Sequence, residues 1–191
     1  MIVTFAYNLE YDKCCWERLI EAGSLFGKTF PKKIEITREQ IDRAMQTVET
    51  FQGWWNQKPE CEDGLDKIYG HKPPETMMVY INTSGYSMDD TFRGWISLSM
   101  MRDTPTKVRT TVIHELGHML FRLYWAQICR SMGFTQRGFE EVKEIITSIH
   151  NDEFDGLEDR GYEVHKFQRE KAREIWRQTR DLKKVLEGCV S

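Results

Sequence analysis

The chain has 191 residues, the usual size of one globular domain and enough to bury a sizeable core. Its hydrophobic content of 40% and its aromatic content of 12% are ordinary for a globular protein. The formal net charge of −3 does not suggest a nucleic-acid-binding protein, and no apolar run approaches the roughly 18 residues of a membrane span. We therefore expect a single domain that binds neither nucleic acid nor a membrane.

The N-terminus and the cysteines favour a cytoplasmic location. Residues 1–8 lack the basic flank and the long apolar stretch of a signal peptide, and they fit a first strand better. The five cysteines are odd in number and include no C-x-x-C pair, which is a poor basis for a disulfide framework or a structural zinc site. We interpret them as scattered reduced thiols.

Hydrophobic periodicity predicts helices in the N-terminal part of the chain. Apolar side chains recur at helical spacing over residues 9–26. Thr37 and Gln40 fit a capping box, which begins a helix that extends to about residue 56. The next segment, 57–76, is rich in proline, glycine and charge, and we predict that it is a loop.

Strands and a long helix are predicted next. Residues 77–82 and 95–98 are short apolar runs between turn residues, which is typical of strands. A helix is predicted from Pro105 to about residue 131, because Thr104 fits an N-cap that is followed by proline at the first helical position. The glycine at position 133 is suited to end that helix.

Two more helices follow, one over residues 139–149 and one in the C-terminal part, where the charge changes from acidic to basic. We interpret the C-terminal helix as an amphipathic helix with a solvated basic face, and a helix that binds a partner or a second copy is the alternative. The predicted class is α+β, with a small mixed or antiparallel sheet packed against the helix that begins at Pro105. We expect one domain over 1–191 with a helical part, a part with the strands and a C-terminal helix, over 1–75, 76–150 and 160–187.

Residues 114–118, His-Glu-Leu-Gly-His, are the strongest functional signal. Residues four apart in a helix lie about one turn apart on the same face, so the imidazoles of His114 and His118 can bind one metal ion. Glu115 can then hold a metal-bound water and accept its proton. The pattern predicts one catalytic Zn²⁺ with two histidine ligands and Glu115 as the general base. Two histidines without a metal on an ordinary amphipathic helix are the alternative.

A catalytic zinc site needs a third protein ligand and an open position. Phe121 and Tyr124 stand where the H-E-x-x-H-x-x-G-x-x-H pattern requires glycine and histidine, so that pattern is excluded. A glutamate on the next predicted helix is the other common solution. The candidates there are Glu140, Glu141 and Glu144.

Helical phase ranks these glutamates. At about 100° per residue, Glu141 lies about 105° from the centre of the apolar stripe, whereas Glu140 and Glu144 lie about 150° or more away. Because a ligand must approach the core, we predict Glu141 as the third ligand and keep Glu144 as the alternative. A solvated acidic face is the other interpretation of all three. His150 and His165 are the next candidates.

The block over residues 111–120, followed by a short loop and an acidic helix, resembles the zincin superfamily of metallopeptidases and most resembles its gluzincin branch. The resemblance covers about residues 92–150. It implies a zincin-like fold, one zinc ion, and a strand along the substrate cleft that residues 95–99 match. Glu144, with Thr147 three residues later, resembles the E-x-x-[small] pattern of gluzincin helices. The asparagine and aspartate that flank the ligand glutamate in thermolysin-like members are absent.

The resemblance also implies an enzyme that hydrolyses peptide bonds of a peptide or protein through a zinc-activated water. Glu115 would be the catalytic base. Tyr162 and His165 are candidate donors to the oxyanion, with a structural role as the alternative for each. The alternative function is an inactive zincin-fold module that engages a protein partner. A metal-free helical interaction protein with a coincidental motif is a further alternative.

Overall fold

The computed structural model describes residues 1–25, 34–57, 62–159 and 163–190. The described strands and helices are, in chain order, β1 (Ile2–Tyr7), α1 (Leu9–Leu25), α2 (Arg38–Asn56), α3 (Glu62–Tyr69), β2 (Thr76–Asn82), β3 (Met88–Asp90), β4 (Trp95–Ser99), α4 (Pro105–Ser131), α5 (Gln136–Ile146), α6 (His150–Glu153), α7 (Lys166–Thr179) and α8 (Leu182–Val190). Short 3-10 turns precede α6 and α7. Among these helices, none has the length and apolar character that crossing a membrane requires.

The described elements form two compact units, and the boundary between them falls within α4, between Val112 and Ile113. The sheet unit contains the four strands, α1, α2 and the first turns of α4. The helical unit contains α3, the rest of α4 and α5 to α8. The single zincin-like domain, with its sheet packed against the motif helix, stays a prediction.

The sheet unit is built on a four-stranded mixed sheet in the order β1-β2-β4-β3. The strands β1, β2 and β4 are parallel, and β3 is antiparallel to β4. The helix α2 covers the edge strand β1, where the rings of Phe5 and Phe51 meet edge to face. The side-chain amide of Gln52 accepts a hydrogen bond from the Phe5 N–H and donates one to the Val3 carbonyl. These bonds satisfy backbone groups that an open sheet edge would leave available to another chain.

The helix α3 lies within the segment that was predicted to be a loop, so that prediction is wrong for Glu62–Tyr69. Leu65, Ile68 and Tyr69 are buried at helical spacing. This apolar face is only two turns long, and the surrounding proline, glycine and charge obscure it in the sequence. Residues 58–61 of the same segment lie outside the described residues.

Both ends of α4 lie where the sequence places them. The Thr104 hydroxyl accepts a hydrogen bond from a backbone N–H of the first turn, 3.2 Å away. At the other end Gly133 has a φ of +87°, and the N–H of Phe134 reaches back to the Cys129 carbonyl. That bond belongs to a Schellman ending, in which a glycine adopts the left-handed conformation without steric cost. The predicted start and stop signals of this helix are confirmed.

The C-terminal part differs from the single long helix that was predicted. The helix α7 ends at Thr179, and Arg180 adopts a left-handed conformation with a φ of 52°. A carboxylate oxygen of Asp181 then accepts a hydrogen bond from the Lys183 N–H, which caps the start of α8. The chain therefore forms two helices, because a local cap interrupts a continuous apolar pattern. Residues 160–162 lie outside the described residues.

Candidate metal centre

One face of α4 carries three polar side chains at successive turns, and a face of α5 carries two. They are His114, His118 and Arg122 on α4, and Glu140 and Glu144 on α5. Arg122 donates two hydrogen bonds to Glu140, at 2.7 and 2.8 Å, whereas Glu144 lies against both histidines. The contacts run in opposite order along the two helices, as expected for an antiparallel pair with a short connector. We call these five residues the polar seam.

The two motif histidines and Glu144 meet at one end of the polar seam. An oxygen of Glu144 lies 3.6 Å from Nε2 of His114, and its other oxygen lies 3.4 Å from Nε2 of His118. Glu115 approaches the other ring nitrogen of His118, with 3.3 Å between Oε2 and Nδ1. Glu115 and His118 are buried, whereas the side chains of His114 and Glu144 keep 18% and 23% of their surface exposed. Water can therefore reach the His114–Glu144 side of the cluster.

These residues fit a zinc ion. Ligand atoms of His114, Glu115 and His118 all lie within 4.8 Å of one another. Of the two nearby carboxylates, Glu144 is the better third ligand, because its oxygens face both Nε2 atoms while Glu115 faces an Nδ1 atom. Two ligand atoms on a tetrahedral zinc, each about 2.0–2.1 Å from the metal, are about 3.4 Å apart, close to the two Nε2–oxygen separations. Two imidazoles and one carboxylate form a known catalytic zinc set.

The electrostatics of the cluster also favour a cation. Burial alone would lower the pKa of His118, but hydrogen bonds to Glu115 and Glu144 raise it to about 9. Burial and the positive charge of His118 lower the pKa of His114. Burial would raise the pKa of Glu144, but its contacts with the two histidines hold that pKa well below its usual range. The Glu144 carboxylate is therefore charged at neutral pH, and a proton on His118 supplies positive charge where a metal would bring it.

The structure places Glu144, and not Glu141, next to the histidines. This geometry favours the alternative candidate from the sequence, and the identity of the third ligand stays a prediction. Glu141 accepts a hydrogen bond from Arg137, one turn earlier on the same helix, and its side chain is 44% exposed. The phase argument treated the apolar stripe of α5 as the whole buried face. The buried surface extends to Lys143, which is 6% exposed and contacts Glu140 and Glu144 on its polar side.

Of the two predicted oxyanion donors, the structure describes His165. Tyr162 lies outside the described residues. His165 is half-buried in the 3-10 turn before α7. The cluster of possible metal ligands found among the described residues does not include it. The role of both residues as oxyanion donors stays a prediction.

A second buried pair lies behind the motif, and the sequence analysis did not identify it. The hydroxyl of Tyr69 and Nε2 of His150 are 2.8 Å apart and form a hydrogen bond. Burial and the charges of His114 and His118 lower the pKa of His150 well below its usual value, so the ring is neutral. His150 is thus engaged by Tyr69 through Nε2. Its partner was hidden because Tyr69 belongs to the helix that was predicted to be a loop.

Comparisons of the chain with protein-family models, with curated proteins and with solved structures find no match. The residues of the centre themselves indicate its possible chemistry. Two imidazole nitrogens and the Glu144 carboxylate can hold a divalent cation, and Glu115 adds a second carboxylate beside them. A carboxylate next to a bound cation can accept the proton of a water.

Proposed function

We propose that the protein is a zinc-dependent metallopeptidase. His114, His118 and Glu144 would hold one zinc ion, and Glu115 would be the general base. The observation that carries the proposal is the position of Glu144, on a second helix, with one oxygen near each Nε2 atom of the motif. An H-E-x-x-H pattern alone arises by chance in some chains. A catalytic zinc site also needs a third protein ligand, and the sequence motif does not supply one. A carboxylate on another helix that lies near both histidines therefore supports this function.

In this proposal the substrate is a peptide or protein. Bound zinc would polarise the peptide carbonyl and lower the pKa of a water to about 7. Glu115 accepts a proton from the attacking water as the oxygen–carbon bond forms. The same carboxyl then donates that proton to the leaving amine as the carbon–nitrogen bond breaks, which yields a carboxylic acid and an amine. Burial of Glu115 shields this proton from bulk water.

We also propose a cytoplasmic location for the protein. The cysteines that the structure describes, Cys14, Cys15, Cys129 and Cys189, are all free thiols. Thiols persist in the reduced state in the cytosol, whereas secreted proteins usually pair them. Detection of the endogenous protein in the soluble cytosolic fraction would support the location, and recovery from a secreted fraction would contradict it.

The ligand set is tested by metal content. Protein purified without chelator should carry close to one zinc per chain by mass spectrometry, and His114→Ala and Glu144→Ala should each lose most of it. Glu141→Ala is the matched control, because Glu141 lies on the same helix but pairs with Arg137, and it should keep its zinc. The proposal is wrong if wild-type protein stays metal-free when zinc is supplied. Loss of zinc in Glu141→Ala with retention in Glu144→Ala would return the third-ligand role to Glu141.

The base is tested by a substitution that leaves the ligands in place. Glu115→Gln should keep its zinc and its fold, while hydrolysis of a quenched-fluorescence peptide library falls at least about 100-fold. Equal rates for this variant and wild type would exclude Glu115 as the base. If zinc-loaded wild type cleaves nothing in the library, the inactive zincin-fold module that holds a protein partner becomes the better account.

A further inference from the structure

Lys143 is an unusual residue next to the proposed metal centre. It lies on α5 between the two glutamates of the polar seam, and it is 6% exposed. Its ammonium nitrogen lies 3.3 Å from an oxygen of Glu140 and 3.4 Å from Oε1 of Glu144. That Oε1 atom is also the oxygen that faces Nε2 of His118. A cation is thus built into the protein beside the oxygen that would bind zinc.

Stability alone does not explain a lysine at this position. A buried ammonium loses its hydration, and an ion pair in the interior often stabilises a fold no better than apolar side chains of the same size. The neighbouring Val142 and Ile146 show that this helix can bury apolar residues. Glu140 already has a partner, because it forms two hydrogen bonds with Arg122. The positive charge of Lys143 therefore acts on Glu144 as well as on Glu140.

From these contacts we infer that Lys143 is a positioning residue that offsets the charge of Glu144, so that the centre binds zinc less tightly and leaves the metal more electron-poor than two histidines and one glutamate alone would. The inference rests on the proposed function. Its physical basis is Coulombic repulsion between the ammonium and a divalent cation that share one carboxylate. This repulsion acts throughout the buried cluster, whereas the single contact from Lys143 that orients Glu144 is a weaker and more local effect.

The charges of the cluster show the consequence. The carboxylates of Glu140 and Glu144 contact the cations of Arg122 and Lys143, and the carboxylate of Glu115 contacts His118. With three carboxylates against Arg122, Lys143 and a bound zinc ion, this cluster would carry one positive charge in excess. A centre with excess positive charge polarises a carbonyl more strongly, and it releases its metal more readily.

The test measures zinc affinity by competition with a chromogenic chelator. Lys143→Met removes the charge and keeps a side chain of similar length, so zinc should bind at least about 10-fold more tightly than in wild type. Lys143→Arg should restore the wild-type affinity to within about three-fold. Lys166→Met is the control, because Lys166 is an exposed lysine on α7 that pairs with Glu163 at 3.6 Å, and it should leave the affinity unchanged.

The sign of the change decides the outcome. A residue with a purely structural role would, on removal, weaken zinc binding or leave it unchanged, so an equal or weaker affinity in Lys143→Met overturns the inference. If that variant does not fold by circular dichroism, Lys143→Gln is measured with the same expected sign. Glu140→Gln tests the same inference with the opposite expected sign. It removes one of the two carboxylates that contact Lys143, so more of the lysine charge acts on Glu144 and zinc binding should weaken. Failure of wild type to bind zinc would instead overturn the proposed function.

Discussion

Gly117, within the motif, leaves space for two buried side chains. A Cβ atom at this position would lie 2.6 Å from Nε2 of His150 and 2.6 Å from the hydroxyl of Tyr69, and it would also meet Cε1 of His150. Both rings are fully buried and joined by a hydrogen bond, so neither can move aside freely. The backbone of α4 between the two motif histidines is therefore held against this pair.

Gly117→Ala should destabilise the protein and weaken the metal centre. Alanine gains about 1 kcal/mol over glycine in a helix, but overpacking of a buried contact costs about 1–3 kcal/mol, so the net loss should be up to about 2 kcal/mol. Movement of α4 away from His150 would also displace the motif histidines and lower zinc affinity.

Urea unfolding and zinc competition measure these effects, with Gly53→Ala as the control. Gly53 is exposed within α2, and a Cβ there would meet nothing within 4 Å. That control should therefore stabilise the protein by up to about 1 kcal/mol. A stabilising effect of the same size from Gly117→Ala would show that the space behind the motif tolerates a methyl group.

The helices and strands differ in how far local sequence determines them. The ends of α4 could be predicted, because an N-cap threonine and a left-handed glycine act through backbone groups a few residues away. The strand β3 has three residues and two acids, so its pairing with β4 leaves almost no trace in local composition. The break between α7 and α8 depends on a single left-handed residue, Arg180, which is not a glycine.

The part of the site that lies within one helix could be predicted from the sequence, and the part that depends on a second helix could not. His114, Glu115 and His118 follow from spacing within one helix. The choice between Glu141 and Glu144 depends on which side of α5 meets α4, which is a tertiary contact and not a property of the stripe. Lys143 illustrates the reason, because a buried lysine widens the inward face beyond its apolar residues. Helical phase alone cannot identify a polar face of α5 that is buried against polar residues of α4.

The helices α6 and α7 are joined by a charge contact that should make stability depend on pH. Asp152 accepts hydrogen bonds from Arg173 and Arg177, at distances between 2.7 and 3.1 Å. Burial would raise the pKa of Asp152, but these two arginines lower it. A carboxyl group with a lowered pKa in the folded state contributes stability above its unfolded pKa of about 3.9 and loses it as the pH falls through the folded value.

Asp152→Asn should therefore cost stability at pH 7 and cost progressively less below about pH 4. The expected loss at pH 7 is about 1 kcal/mol, because the guanidinium of Arg177 is half exposed and water screens its charge. Urea unfolding at pH 7, 4 and 3 measures the difference, with Glu170→Gln on the exposed face of α7 as the control. A difference between variant and wild type that stays constant across this range would contradict the prediction.

The described residues form two compact units, and the helix α4 has residues in both. The residues of the proposed metal centre all lie in the helical unit, after the boundary within α4. The first turns of that helix, with Val108 and Val112 buried, belong to the sheet unit. A helix that is continuous in hydrogen bonding across the boundary is costly to unfold in halves, because helix formation is cooperative. We therefore expect one unfolding transition for the whole chain.

Native-state hydrogen exchange with and without zinc tests this expectation. Free zinc at about 100 times its dissociation constant should stabilise the folded state by about 2.7 kcal/mol, provided that zinc does not bind the unfolded chain. If the chain unfolds as one, the most slowly exchanging amides of β2 in the sheet unit should gain the same protection as those of α5 in the helical unit. Glu144→Ala should show no gain in either. Protection that rises in α5 while β2 stays unchanged would mean that the two units unfold separately, and the prediction of one domain would then be wrong.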